Sequence, residues 1–452
     1  MHKRARSVDM TQGVIWKQLI FFALPLLVGQ LFQQLYSTVD SVVVGRYVSM
    51  EALAAVGATG NVINALISFF SGLATGGGVI ISQYFGAHDE DGVHKAVHTT
   101  VLLSILIAVF CTALGMGLSE RILSWMDTPP DVMEGAVIYL KIYFAGVAGM
   151  MLYNIGSGIL RAVGDSRRPL YFLIFSAVTN LILDVAFVVF FHMGIAGVAY
   201  ATVISQCLSA ILTFIVLCRS RECYRVSFRR LAIHTAPLRG VLRVGLPAGL
   251  QMGVTSLSNV FVQAYINAFD APCMAGWTSY SRLDDFAWLP MMCIGMASTT
   301  FVGQNLGAGQ AERARKGVSI SMRLALIGTV AVVIPLMAFR DPLLKAFNDN
   351  EEMLAFGRMF ILYMSPFYIP YCATQIYSGA LRGAGDSLRP MVICLSSFVV
   401  FRQLYLFIGT KFITHPLFVG LSYPAGWVVS SAAMYLAYRF SKWEKASSLV
   451  SA

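Results

Sequence analysis

The chain has 452 residues, 57% hydrophobic and only 12% charged, with a formal net charge of +10. A soluble domain carries about a quarter charged residues, so this composition excludes an ordinary soluble enzyme or binding module. The apolar residues return in runs of about 20 or more, the length an α-helix needs to cross a bilayer core. In lipid each backbone polar group must be satisfied within its own segment, which makes such runs helices, and the period-2 alternation of a membrane barrel is absent.

Taken in chain order, the predicted spans are 15–42, 52–83, 95–118, 133–158, 169–192, 195–218, 240–267, 274–303, 316–339, 353–380, 390–410 and 415–439. The expected fold class is an all-α polytopic membrane protein with about twelve transmembrane helices. The basic start "MHKRAR" resembles the n-region of a signal peptide. The apolar stretch behind it is too long for one and has no small-residue cleavage site, so an uncleaved first span is expected. Even-numbered loops hold Arg161, Arg167 and Arg168, then Arg219, Arg221, Arg225, Arg229 and Arg230, then Arg313, Arg315 and Lys316, then Arg382 and Arg389. Odd-numbered loops hold few basic residues: Arg46, Arg121, Arg340, Lys345 and Lys411. Cytoplasmic loops retain Lys and Arg, so both termini are expected in the cytoplasm. The positive charge is read as this bias and not as a nucleic-acid surface. Eight scattered cysteines form no C-x-x-C pair and read as small buried residues. His94 and His98 are four apart, and read as loop or helix-end histidines more readily than as a metal pair. No cofactor is expected beyond a coupling ion. A multi-pass monomer in a prokaryotic cytoplasmic membrane is the expectation.

The chain repeats itself. "GILRAVGDSRRPL" from Gly158 returns as "GALRGAGDSLRPM" from Gly379, and "QYFGAHDEDGVHKA" from Gln83 as "QNLGAGQAERARKG" from Gln304, both 221 residues on. "ALPLLVGQ" with Pro25 matches "GLPAGLQ" with Pro247, 222 residues on. Near-constant spacing argues duplication. The expected organisation is a first lobe at 1–220, a cytoplasmic linker at 221–238 and a second lobe at 239–452. Six spans per half return the chain to its starting side, so the two six-helix bundles should be pseudo-symmetric about an axis along the membrane normal, around a central cavity. In each GDS segment Gly permits a turn, Asp and Ser can cap the next helix, and Pro suits its first turn. Arg161, Asp165, Arg382 and Asp386 are therefore read as architectural, with gating through changing Arg–Asp pairs as the alternative.

The duplicated halves, "GxLRxxGDSxRP" in both, "VGQNLGAG" after span 8 and a proline in spans 1 and 7 resemble the multidrug and toxic compound extrusion (MATE) family over essentially the whole chain. The resemblance implies a secondary antiporter that exports cationic, amphipathic compounds against entering protons or sodium. A lipid-linked sugar flippase of a related superfamily is the other reading of such helices. No Gly-rich phosphate loop followed by Lys and no H-E-x-x-H points to chemistry, so no enzyme is expected.

Ionisable residues inside spans are costly and are functional candidates. Asp40 and Asp184 each lie about eight residues before the outer end of a span, roughly 12 Å below the surface at 1.5 Å per residue. Thr202 lies at a similar depth, and Asn180 is one turn from Asp184. Two carboxylates, an amide and a hydroxyl at one level suit a proton or sodium site; hydrogen bonding to neighbouring helices is the plainer alternative. The resemblance agrees: in DinF-like members the span-1 aspartate and the span-5 "N-x-x-x-D" couple the cation, which here implies Asp40, Asn180 and Asp184, with Thr202 as the span-6 hydroxyl. The acids of NorM-like spans 7 and 10 are missing, which favours the DinF-like branch. In the second lobe Arg282, Asp284 and Asp285 fall within span 8. One acid is expected to pair with Arg282 and the other, Asp285, to face the cavity, with Arg402 as a further partner for either. Gln33, Ser37 and Asp40 on span 1 and Thr255, Asn259, Gln263 and Asn267 on span 7 form polar stripes that bind helices together or line a wet cavity. Tyr36, Trp288 and Met292 are candidates for its apolar wall.

Overall fold

The computed structural model describes residues 9–48, 50–126 and 128–444; within these, the side chains of residues 35–46, 50, 51, 53 and 61 are not described. The candidates Tyr36, Ser37 and Asp40 have side chains outside the described residues.

The described residues are mostly helical, joined by short turns and by one longer segment, residues 220–234. The first half runs α1 (Ile15–Tyr47), α2 (Met50–Gly86), α3 (Glu90–Trp125), α4 (Pro130–Ala145), α5 (Val147–Ala162), α6 (Arg167–Val185), a π-helical turn (Ala186–Phe190) and α7 (Gly194–Arg219). The second runs α8 (Thr235–Ile266), α9 (Ala271–Gly307), α10 (Ala311–Ala338), the short α11 (Arg340–Lys345), α12 (Glu351–Met364) and α13 (Tyr368–Gly383). It ends with α14 (Leu388–Leu395), a π-helical turn (Ser396–Phe401), α15 (Arg402–Gly409), α16 (Pro416–Gly420) and α17 (Ser422–Phe440). Among the described residues nine helices or continuous helical runs are long and apolar enough to cross a membrane, and α4 with α5, bent by 47° at the intervening Gly146, makes a tenth. Two further rods complete a twelve-rod order. In α8 the polar row of Gln251, Thr255, Asn259 and Gln263 dilutes an otherwise apolar helix of 32 residues. The other is α12 and α13, two short helices of 14 and 16 residues joined by a tight turn at Ser365–Phe367.

The chain forms two compact units. One holds Leu24–Gly245; the other holds Met10–Ala23 and the chain from Leu246 onward. The chain therefore passes between units inside α1 and inside α8, in each case one residue before a proline, Pro25 and Pro247. The expected lobe boundaries instead put 10–23 with the first lobe and 239–245 with the second. In the first unit a core around Phe70, Leu140 and Phe144 sits beside another around Ile81, Val97, Leu160 and Val244. The second unit is aromatic: Trp277, Tyr280, Phe360, Tyr368, Tyr371 and Trp427 pack edge to face or tilted, with centroids 5.1–6.0 Å apart, geometries that aromatic quadrupoles favour.

Local contacts explain the lead-in segments. Met10 is fully buried in the second unit, its N–H donating to Gln304 Oε1 at 2.9 Å and its carbonyl accepting from Asn305 Nδ2 at 3.2 Å. Arg313 Nη2 reaches the Gly13 carbonyl at 2.9 Å and Gln18 Oε1 at 3.0 Å. In the first unit His98, on α3, holds the segment before α8. Its Nε2 accepts from the Ser227 N–H at 3.0 Å while Nδ1 lies 2.8 Å from the His94 carbonyl oxygen. Thr99 Oγ1 accepts from the His234 N–H at 3.0 Å. His98 is thus a backbone anchor, and among the described residues no cluster of three or more His, Cys, Asp or Glu could hold a metal.

The two GDS segments build the same turn. Gly164 and Gly385 take φ of +85° and +92°, the left-handed region that favours glycine. Their N–H groups bond the carbonyls of Arg161 at 2.9 Å and Arg382 at 2.8 Å. Asp165 Oδ1 then accepts from the N–H groups of Arg167 and Arg168, both at 3.1 Å, while Oδ2 pairs with Arg168 Nε at 3.2 Å. Asp386 accepts one such bond, from the Arg389 N–H at 3.3 Å, and pairs with Arg389 Nη1 at 2.9 Å. The aspartates do the capping; Ser166 and Ser387 occupy the cap position without a side-chain cap bond. Arg161 and Arg382 end α5 and α13, Arg382 Nη2 donating back to Ser378 Oγ at 2.9 Å.

Candidate functional site

The first-unit site lies along the α6–α7 seam, and hydrogen bonds fix its register. Ser209 Oγ donates to the Phe172 carbonyl at 3.2 Å, and Ser176 Oγ to the Ser205 carbonyl at 3.0 Å. The helices are antiparallel, so each step of four up α6 is a step of four down α7. Asn180 is then level with Ala201 and Thr202, and Asp184 with Gly197 and Val198. All three polar residues are buried: Asp184 is 1%, Asn180 2% and Thr202 6% exposed. Asn180 Nδ2 and Thr202 Oγ1 are buried with no hydrogen-bond partner among the described residues. An unsatisfied buried polar group costs about 1–3 kcal/mol, so two at one level of one seam require a reason. Directly beyond Asp184 the helix widens into the π turn at Ala186–Phe190, a feature that frequently marks functional sites. Of the expected constellation Asp40, Asn180, Asp184 and Thr202, the last three lie along this seam, and the side chain of Asp40 lies outside the described residues.

The second-unit candidates separate into two groups. Asp284, half-buried on α9, accepts from Tyr280 Oη at 3.3 Å and Trp288 Nε1 at 3.1 Å. Tyr280 is bonded in turn to Tyr368 Oη at 2.8 Å. The expected pairing of an acid with Arg282 does not form: Arg282 is exposed and pairs with neither acid among the described residues. For Asp284 the physical reason is angular, since residues two apart on a helix point about 200° apart, while the i±4 neighbours Tyr280 and Trp288 flank it directly. Asp285 is exposed, and Met292 is half-buried.

Arg402 centres the other group. It is 2% exposed, and its Nη2 donates to Ser258 Oγ and Asn259 Oδ1, both at 2.8 Å. Its guanidinium carbon lies 4.6 Å from the ring centroid of Tyr423. The expectation that Arg402 partners Asp284 or Asp285 is corrected: its described hydrogen-bond partners are neutral. On the α8 row, Gln263 accepts from Trp277 Nε1 at 3.0 Å and donates to Asn267 Oδ1 at 2.8 Å. Thr255 Oγ1 and Gln251 Oε1 are buried without a described partner. Gln33 and Asn259 are exposed. Sequence reading passed over Ser258, Gln403 and Tyr423, which complete the Arg402 surroundings.

An all-helical chain with ten apolar spans among its described residues and buried polar groups within them is a polytopic membrane protein. Comparison with known proteins sharpens this. The MatE family pattern matches the chain twice, over residues 25–186 and 247–408, the two halves of the sequence repeat. Over 97% of this chain and 98% of the relative, it is 30% identical to the probable multidrug resistance protein YpnP of Bacillus subtilis. Over 95% of each, it is 28% identical to the probable multidrug resistance protein YoeA of the same organism. A solved structure described as the outward-facing conformation of a multidrug resistance MATE family transporter shares the fold, with a TM-score of 0.91 and 23% identity over 99% of each chain. The chain belongs to the MATE family, and it is a transporter, not an enzyme.

Proposed function

We propose that the protein is a proton-coupled antiporter of the DinF-like branch that exports cationic, amphipathic organic compounds. The observation that carries the reading is the α6–α7 seam, where Asn180 Nδ2 and Thr202 Oγ1 are buried without described partners one turn from the buried carboxyl of Asp184. A carboxyl in such surroundings binds a proton or a hard cation and releases it when the seam rearranges. The names of the relatives YpnP and YoeA support multidrug export as the activity. In this reading the two compact units act as the lobes that alternate access, and both termini lie in the cytoplasm with the arginine-rich GDS turns. α1 and α8, shared between units, carry Pro25 and Pro247 inside the helix, and the missing backbone donor there makes each a hinge for that motion. One charge moving across 100 mV supplies about 2.3 kcal/mol, enough for a roughly fifty-fold gradient.

Sodium is the second reading, favoured by the hydroxyl of Thr202 and the amide of Asn180, which are hard oxygen ligands when turned inward. The test is efflux of the fluorescent cation ethidium from proteoliposomes under an imposed proton or sodium gradient, for wild type, Asp40→Asn and Asp184→Asn. Proton-driven efflux abolished by Asp184→Asn supports the proposal. Efflux driven by sodium alone keeps the site and changes the ion. Unchanged efflux in both variants removes the seam from the mechanism.

A further inference from the structure

The second unit contains a cation the coupling scheme does not use. Arg402 sits inside a predicted span, 2% exposed. Burying a charge in the membrane is costly unless it is paired or serves a pathway. Among the described residues no carboxylate forms an ion pair with it. Its position is nevertheless tightly built. The π turn at Ser396–Phe401 lies immediately before it, and Ser258 Oγ donates to the Phe398 carbonyl within that turn at 2.9 Å. The same oxygen accepts from Arg402 Nη2 at 2.8 Å and Gln403 Nε2 at 3.1 Å. A hydroxyl has one donor and two acceptor sites, so Ser258 is saturated and pins the guanidinium. The ring of Tyr423 supports it at 4.6 Å.

Two features of this knot point outward to a ligand. Arg402 Nε is buried with no hydrogen-bond partner among the described residues. The remaining Nη2 acceptor, Asn259 Oδ1, belongs to an exposed side chain that can swing away. Asn259 continues a row on α8 at four-residue spacing, Gln251, Thr255 and Asn259, in which Gln251 Oε1 and Thr255 Oγ1 are likewise buried and unpartnered. A polar face with one fixed positive charge, no paired acid among the described residues and unused hydrogen-bonding groups is complementary to an anion. A carboxylate in place of the amide oxygen would add its own negative charge to the bond that the guanidinium already makes, turning an ion–dipole contact into an ion pair.

We propose that Arg402, pinned by Ser258 and backed by Tyr423, is an anion subsite that accepts a carboxylate of the transported molecule in place of the Asn259 amide. The protein would then take zwitterionic amphiphiles as well as simple cations. This inference rests on the export reading above for its transport consequence, but not for binding.

The test uses a matched dye pair, rhodamine B, which carries a free carboxylate, and its ethyl ester, which does not. Binding to the purified full-length protein is read by quenching of tryptophan fluorescence, and efflux from phosphatidylcholine proteoliposomes is read in parallel. Wild type should bind the acid more tightly than the ester by about tenfold, the scale of one charge-assisted hydrogen bond. Arg402→Gln should erase that preference while leaving ester binding within about twofold, and Arg402→Lys should retain part of it because the charge remains. Equal losses for both dyes would make Arg402 a structural residue only and overturn the proposal. No preference in wild type would also overturn it. So would loss of the preference when phosphatidylglycerol is added, since a lipid headgroup would then own the subsite. Preferential binding of the acid without efflux of either dye would uphold the subsite and count against the export reading instead.

Discussion

Asn180 and Thr202 sit on facing turns of α6 and α7, each burying a polar atom that no described residue satisfies. A structure optimised only for stability would have apolar groups at both positions. Thr202→Val removes the hydroxyl and keeps the shape, so if the hydroxyl had no ligand the variant would gain up to about 1–3 kcal/mol. The expectation is a melting temperature in detergent that holds or rises, together with gradient-driven ethidium efflux reduced at least several-fold. A variant with intact efflux would assign the hydroxyl to packing alone.

The GDS turns make a graded prediction. Asp165 accepts two backbone bonds at 3.1 Å and is 5% exposed, whereas Asp386 accepts one at 3.3 Å from a more open position. Loss of a helix cap costs about 0.5–2 kcal/mol. Asp165→Ala should fall near the top of that range and Asp386→Ala near the bottom, read as two unequal drops in melting temperature. Equal drops, or a larger one at Asp386, would mean that the caps do not carry the turns.

His98 ties the segment before α8 to α3 through the Ser227 N–H at 3.0 Å. Arg229 and Arg230 in that segment are exposed and offer trypsin two sites. His98→Ala should raise the population of the open segment about fivefold, as expected for loss of one net hydrogen bond of about 1 kcal/mol, and cleavage of the full-length protein should accelerate accordingly. An unchanged cleavage rate would show that Thr99 and the buried Tyr224 and Val226 hold the segment without it.

How far the sequence could be read depended on helical regularity. The shared face of Asn180 and Asp184 is legible because α6 stays regular up to Asp184, so counting in steps of four gives both face and depth. The surroundings of Arg402 are not. The π turn at Ser396–Phe401 widens the helix just before it, and a count at 3.6 residues per turn carried through such a turn lands on the wrong face. The partners of Asp284 were legible and passed over: Tyr280 and Trp288 stand at the four-residue spacing that places side chains together, and Arg282 does not. The exchange of chain between units at residues 23–24 and 245–246 has no local signature beyond the prolines. The run "GGG" at 76–78 on α2 carried a packing signal that only contacts reveal.

Consecutive residues on a helix point about 100° apart, so that run opens three directions on α2. A Cβ on Gly76 would lie 2.5 Å from the backbone N and Cα of Gly245 in the first part of α8. One on Gly77 would lie 2.5 Å from Thr100 Cγ2 on α3, and one on Gly78 3.6 Å from the Gly158 carbonyl oxygen on α5. Within the first unit α2 is thus approached from three sides, and at Gly76 the contact is backbone against backbone. A methyl group there cannot be relieved by a rotamer change. Gly76→Ala should therefore cost about 1–3 kcal/mol, the scale of overpacking a tight core, and lower the melting temperature accordingly. Gly78→Ala, which adds an ordinary van der Waals contact, should be close to neutral. Gly117→Ala on the exposed face of α3, where nothing lies within 4 Å of the added Cβ, should hold or raise stability through helix propensity. Melting curves of the three variants in one detergent decide the matter. A tolerated Gly76→Ala would mean that α8 has room to move away from α2 at that point.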